Sequence, residues 1–304
     1  MNPALSVIMP NYNMAQYFPE ALASLFAQTF TDFEVIFVDD GSFDNSLLMI
    51  ESFCKSDSRI RVLRNQQNIG AVSTVNRGLK EARGKYIHLF AADDKILSEY
   101  FFERMIHLLE KYPAFSMCTS DHSMFTDGEQ KIYSWPVFPH LKEMTCISPK
   151  EFMEMCRKDI IKYWLFAMGT IFRRELFLQN GFFSTDFPVL SDWYFVHLCA
   201  LKEGCIYLPG YNVAWRSRGK DNLFNYMKKN EILNLLLHIA KVRQNRRLYN
   251  KSTLLGNYVK QSLSQIIWRP YLWDFVFPFF KRKMKNSWRK VKTNFVKAIK
   301  GQSE

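Results

Sequence analysis

The sequence predicts an α/β protein: a Rossmann-like, mostly parallel central sheet flanked by helices, followed by a basic helical extension. Three observations predict it. Residues 5–9, 33–38, 60–63 and 86–90 are short, apolar and β-prone, the pattern of strands buried on both faces of a parallel sheet. Apolar side chains recur at helical spacing between them, Tyr17, Phe18, Ala21, Leu22, Leu25 and Phe26 in one interval and Val72, Val75 and Leu79 in another. Strand, helix, strand in this order requires right-handed crossovers. The charge then changes abruptly: residues 222–304 carry 18 Lys/Arg against three acids, a net +15, whereas residues 1–221 carry 23 against 26. The chain is therefore divided into a domain over 1–221 and a basic, aromatic extension over 222–304.

Each element can be justified in turn. The first strand runs into Met-Pro-Asn-Tyr-Asn (9–13), the second ends in Val-Asp-Asp-Gly-Ser (38–42), and the fourth leaves Gly84 and stops on Asp93-Asp94. Residues 98–110 read as a helix, with Ser98 as its cap and Phe101, Met105 and Leu108 on one face. The stretch 133–149, with Trp135, Pro136, Pro139 and His140, reads as an irregular loop over a cleft. Regular structure resumes at 165–172, then a helix over 191–201 with Asp192 at its start. Two short strands follow, 205–208 and 211–215, separated by Pro209-Gly210.

Composition excludes several classes. With 304 residues and 48% hydrophobic content the chain buries a sizeable core and is not disordered. Its six cysteines, at 54, 118, 146, 156, 199 and 205, show no Cys-x-x-Cys pair and no zinc spacing, which points to a reduced, cytoplasmic compartment. The first residues lack a basic segment followed by a long apolar one, so no secretory signal is expected. The most apolar stretch, 271–280, is short and broken by Asp274 and Pro278, so no spanning helix is expected either. Gly-x-Gly-x-x-Gly and Gly-x-x-x-x-Gly-Lys-Ser/Thr are both absent, which leaves a bound cation to handle phosphate.

The acids at strand ends carry the chemistry. In open α/β sheets ligands collect outside the carboxyl ends of the strands, and adjacent carboxylates there suit a hard divalent cation carrying a diphosphate. Each segment also has a local reading: Asn-Tyr-Asn as a turn, Asp39-Asp40-Gly41-Ser42 as a turn and cap, Asp192 as complement to a helix dipole. Their joint placement at strand ends favours a site.

Together these segments resemble the family 2 glycosyltransferases, nucleotide-sugar enzymes of the GT-A fold. The resemblance spans about residues 5–216. It rests on Ser-Val-Ile-Met-Pro-Asn-Tyr-Asn, Glu-Val-Ile-Phe-Val-Asp-Asp-Gly-Ser-Phe-Asp-Asn-Ser, Asn68-Ile-Gly with Asn76-Arg77-Gly78, Ala-Arg-Gly-Lys-Tyr-Ile-His-Leu-Phe-Ala-Ala-Asp-Asp, and Phe-Arg-Arg-Glu-Leu followed by Asn-Gly-Phe-Phe and Ser-Asp-Trp. It implies that Pro10, Asn11 and Tyr12 line the base pocket, that Asp39 accepts a hydrogen bond from the base, and that Asn68 belongs to the nucleotide-sugar site. It further implies that Asp93 binds ribose or assists the metal, that Asp94 holds Mg²⁺ or Mn²⁺ against the diphosphate, and that Asp192 is the general base. Arg216 falls where members place a residue meeting the diphosphate. Many members have Asp-x-Asp-Asp where this chain has Ala91-Ala92-Asp93-Asp94, so the first acid is missing. The processive synthases' Gln-x-x-Arg-Trp is also absent and no spanning helix is expected, which implies a non-processive enzyme adding one sugar, and the resemblance implies that it inverts.

In the extension, Met284, Trp288, Val291, Phe295 and Ile299 form a stripe among Lys285, Arg289, Lys290, Lys292, Lys297 and Lys300, below the aromatics Trp268, Tyr271, Trp273, Phe275, Phe277, Phe279 and Phe280. This is the pattern of a helix lying in an anionic membrane surface, here through 268–300. The other reading packs the stripe on the catalytic domain. No nucleic-acid module accompanies the charge. The expected partners are a nucleotide-sugar donor, expected to be UDP-linked, and a saccharide or lipid-linked saccharide acceptor at the inner face of the cell membrane. Two other classes stay open: a catalytically weak nucleotide-sugar-binding protein, suggested by Ala91, and a sugar nucleotidyltransferase, whose Gly-rich basic loop is missing from 9–16.

Overall fold

The computed structural model describes residues 2–127, 132–159, 165–186 and 188–217. The extension 222–304, with its stripe at 268–300, lies outside the described residues.

Four strands, β1 (Leu5–Asn11), β2 (Phe33–Asp39), β3 (Ile60–Arg64) and β4 (Tyr86–Leu89), form where the apolar runs place them. They pair in parallel in the order β3-β2-β1-β4. Alternation sets their two faces. Val7, Met9, Val35 and Phe37 point to α1 (Phe18–Phe26), α2 (Ser46–Ser56) and α4 (Phe101–Lys111), while Ile8, Ile36 and Val38 join the core beneath α3 (Ala71–Glu81). The remaining elements are β5 (Lys95–Ile96), β6 (Met117–Thr126), β7 (Ile132–Trp135), β8 (Thr145–Ile147), α5 (Pro149–Asp159), a 3₁₀ turn at Ala167–Gly169, β9 (Thr170–Arg173), α6 (Glu175–Asn180), a 3₁₀ turn at Pro188–Leu190, α7 (Ser191–Glu203) and β10 (Cys205–Ser217). One sheet continues through β4-β9-β6-β10-β5, with β7 beside β6 and β8 beside β10.

Several expectations are corrected. Pro209-Gly210 does not end a strand: β10 runs through it with register shifts against β6, a bulge in which Gly210 adopts φ +126. Ser98 does not cap α4, which starts at Phe101 after Tyr100 without a side-chain cap; the Ser98 carbonyl instead accepts from Gln28 Nε2 at 2.9 Å. The stretch 133–149 is not a free loop over a cleft. It contributes β7 and β8 and buries Val137 and Phe138 in the core.

That burial is secured from β6. The buried Asp121 carboxylate accepts from Val137 N at 2.7 Å, Tyr207 Oη at 2.7 Å and Gly210 N at 2.9 Å. One carboxylate thus ties β6 to β10, to the bulge and to the segment after β7. A buried acid satisfied by three donors is held far more firmly than an exposed pair.

Candidate active site

The strand directions gather one edge. β1 to β4 are parallel; β9 is antiparallel to both β4 and β6, so β6 runs with β4, and β10 runs parallel to β6. The carboxyl ends of β1, β2, β3, β4, β6 and β10 therefore lie on one side of the sheet. Asn11, Asp39 and Arg64 form a row there, each the final residue of its strand and in register with the next.

One group of candidate side chains is built on that row. Asp39 is fully buried; its Oδ1 accepts from Asn11 Nδ2 at 3.0 Å and its Oδ2 from Ser42 N at 3.0 Å. Pro10 is partly buried, Tyr12 stands at the surface, and Asn11 Oδ1 is a buried acceptor without a partner. Asn68 is exposed and accepts from Gly70 N at 3.1 Å. Its segment is fixed by Asp40, which sequence reasoning left without a role: Asp40 accepts from Asn65 Nδ2 at 2.7 Å, Ile69 N at 2.9 Å and Gly70 N at 3.0 Å. Beside it opens a hollow of about 500 Å³ lined by Arg64, Asn65, Gln66, Gln67, Ile69 and Arg77.

A second group follows β4. Asp94 is buried, and burial first, then the charge of Asp93, raises its carboxyl well above the usual carboxylate range. Desolvation and a like charge both favour the neutral form, so a cation here regains both. Arg216 approaches from β10: its amide donates to Asp94 Oδ1 at 3.4 Å and its Nε to the Asp93 carbonyl at 3.1 Å. The guanidinium is only 6% exposed, pairs with Glu20 at 2.5 Å and with Asp127, and lies over the rings of Tyr17 and Phe125, 4.7 and 4.5 Å from their centroids. The guanidinium thus faces two carboxylates, while the Arg216 amide and Nε steady the Asp93-Asp94 turn. Glu20 also pairs with Lys95, and that bond is the main cause of its lowered pKa.

Asp192 reaches the same edge by another route. Its carboxylate accepts from the backbone amides of Trp193 and Ala167. Ala167 opens the turn feeding β9, and because β9 is antiparallel to β4, that turn lies at the carboxyl end of β4, with His88 Nδ1 bonded to the Thr170 carbonyl at 3.2 Å. Burial of the carboxylate outweighs these two amides and Asp192's own, and pushes its pKa up to about 6.

The residues present fit a divalent cation shared with substrate. Among the described residues no group of three or more His, Cys, Asp or Glu gathers to form a complete cage. Asp93 and Asp94 would supply one or two carboxylates, the number Mg²⁺ typically takes from protein when phosphates complete its shell. Ala91 cannot contribute a ligand.

Comparison with known proteins agrees with this architecture. The Glycosyl transferase family 2 model matches residues 6–177. An uncharacterized glycosyltransferase of Haemophilus influenzae is 38% identical over 265 residues, covering 84% of this chain and 80% of that protein. The uncharacterized glycosyltransferase EpsJ of Bacillus subtilis is 32% identical over 205 residues, 67% of this chain and 57% of the relative's length. Among solved structures, S. aureus TarS 1-349 in complex with UDP-GlcNAc superposes with a TM-score of 0.69 at 17% identity, over 98% of this chain and 81% of that one, a likeness of fold. With the acids of its strand ends gathered on one edge and its family model matched across more than half its length, this chain is a glycosyltransferase of family 2 with the GT-A fold.

Proposed function

We propose that this enzyme is inverting and non-processive, moving one sugar from a UDP-linked donor to a hydroxyl of a saccharide or lipid-linked saccharide in surface polysaccharide or glycolipid synthesis. The observation that carries it is a pair of desolvated carboxylates in different surroundings at one sheet edge: Asp94 beside a second acid, and Asp192 raised to about 6 by burial. Environments that separate two acids assign them different work. A base whose pKa lies near neutrality is ionised at pH 7 yet still accepts a proton efficiently.

Asp192 takes the acceptor hydroxyl proton as that oxygen bonds to the anomeric carbon, and the bond from that carbon to the diphosphate breaks on the opposite face. Inversion turns an α-linked donor into a β-linked product. A Mg²⁺ or Mn²⁺ held by Asp94 with Asp93 would supply Lewis-acid stabilisation of the leaving diphosphate. Pro10, Asn11, Tyr12, Asp39 and Asn68 form the nucleoside side of the cleft. Arg216 holds Asp93-Asp94 in place through its amide and Nε. The UDP-GlcNAc bound by TarS supports a UDP-linked donor here.

The test is release of UDP from UDP-linked hexoses by the full-length chain, with Mn²⁺ and with a chelator. Turnover with the metal and none without it is expected. If UDP sugars bind yet none turns over under either condition, the chain is a nucleotide-sugar-binding protein weakened at Ala91.

Residues 268–300 bind the inner, anionic face of the cell membrane in this proposal, which brings the site to a lipid-linked acceptor. No helix among the described residues is long and apolar enough to cross a membrane. Full-length protein should co-sediment with vesicles containing anionic lipid and much less with neutral ones, and replacing Trp288 and Phe295 with Ser should weaken that binding about tenfold or more. Equal partitioning of both forms onto both vesicles would sink the anchoring role.

A further inference from the structure

The hydrogen bonds that fasten residues 41–46 to residues 11–15 hold an apolar ring in water. Phe43 is 83% exposed, more than any other large hydrophobic side chain among the described residues. Its backbone is nonetheless tightly tied. Phe43 N donates to Asn13 Oδ1 at 3.0 Å, and Ser42 Oγ accepts from Asn13 N at 2.9 Å and from Asn11 Nδ2 at 3.1 Å. Asp44 Oδ2 accepts from Ala15 N at 3.0 Å. Asn13 adopts φ +54 in this reciprocal clasp, a conformation that residues other than glycine seldom hold. A strained residue and four cross-loop bonds therefore fix the place of a side chain that contributes almost nothing to the core.

The clasp also fixes the residue before Asn13. Tyr12 is 38% exposed, and the Phe43 ring stands edge-on to it, with centroids 6.1 Å apart and planes at 84°. The two rings follow Asn11 and Asp39, the register pair that closes β1 and β2 at the edge where the nucleotide side of the site lies.

We propose that Phe43 and Tyr12 form an aromatic bracket for the nucleobase of the donor, with Phe43 as a positioning residue that holds the Tyr12 ring and covers the base. This rests on the nucleotide-sugar reading above. A planar base has an apolar π-face that any aromatic ring can cover, and perpendicular rings offer it one face and one edge. A bracket already rigid loses little freedom on binding. The bracket accounts for both otherwise unexplained features: the exposure of Phe43, which a bound base removes, and the strained clasp, which sets the two rings against each other.

Calorimetric titration of the full-length chain with UDP and with pyrophosphate, in Mn²⁺, tests it. Phe43→Ser should weaken UDP binding roughly 5–50-fold, leave pyrophosphate binding and the melting temperature unchanged, and Phe43→Trp should keep wild-type UDP affinity. Equal UDP affinity in wild type and Phe43→Ser overturns the bracket while leaving the donor reading intact. An equal loss for UDP and pyrophosphate also overturns it, because the base is then not what Phe43 senses. Wild-type protein that does not bind UDP removes the UDP-donor reading and the bracket with it.

Discussion

Replacing Asp192 with Asn is expected to lower turnover by about 10²–10⁴-fold, the usual contribution of a positioned general base, and to leave UDP affinity near wild type. The wild-type rate should rise with pH through about 6, where the Asp192 carboxyl ionises, and the residual rate of the variant should lack that limb. The stability effect has the opposite sign. The folded pKa lies above the ordinary aspartate value, so between the two values the folded state binds more protons than the unfolded chain and stability falls as pH rises. Above pH 6 the charged carboxylate is a burden that Asn does not carry. A shift of this size corresponds to at most ~3 kcal/mol, and since the side chain is only partly buried and its charge complements the start of α7, we expect a gain of about 1 kcal/mol. Thermal melts at pH 4 and pH 7 with matched rate measurements check both halves. A variant that keeps more than a tenth of wild-type turnover would assign the base elsewhere.

Gly41→Ala is expected to be among the most damaging single-methyl additions. Gly41 has φ +71, and a Cβ there would lie 2.7 Å from the Gln67 carbonyl carbon, 2.8 Å from its Cα and 2.9 Å from Asn68 N. All three are backbone atoms, so no side chain can swing aside. The segment they belong to cannot retreat easily either, because Asp40 holds the amides of Ile69 and Gly70. Left-handed strain of about 1–2 kcal/mol adds to an overpacking cost of about 1–3 kcal/mol. The melting temperature should fall by roughly 5–10 °C. UDP binding should weaken as well, since the displaced residues carry Asn68 and adjoin the Phe43 loop. A melt within a degree of wild type would show that the 41–43 and 67–69 loops are not locked together.

What was legible in the sequence follows from how each element is buried. β1, β2 and β4 are covered on both faces, so they read as largely apolar runs, and an acid at the carboxyl end of such a run stands out, as Asp39, Asp93 and Asp94 do. β6 is as central to the sheet but reads Met-Cys-Thr-Ser-Asp-His-Ser-Met. Several of its polar side chains are satisfied by distant partners: Thr119 by Thr170, Asp121 by Tyr207 and Gly210, Ser123 by Ser134. No local pattern can announce a strand whose hydrogen bonds are tertiary. α5 did carry a signal, the capping box of Ser148 and Glu151, with Glu151 Oε2 accepting from Ser148 N at 2.8 Å and Ser148 Oγ receiving Glu151 N at 3.3 Å.

By itself the sequence determined the fold class, the family resemblance and the acids at strand ends, because these depend on short-range patterns of burial and turn chemistry. Only the tertiary structure decided what each polar group faces. It turned the Arg216 guanidinium to Glu20, 196 positions away in sequence, and to Asp127, and left its backbone to hold Asp94. Ala167, reached through the antiparallel β9, brought Asp192 to the edge of β4, and burial there lifted its pKa. Charge and hydrogen-bond partners come from chain segments that meet only on folding, and a pKa depends on the solvent those segments exclude.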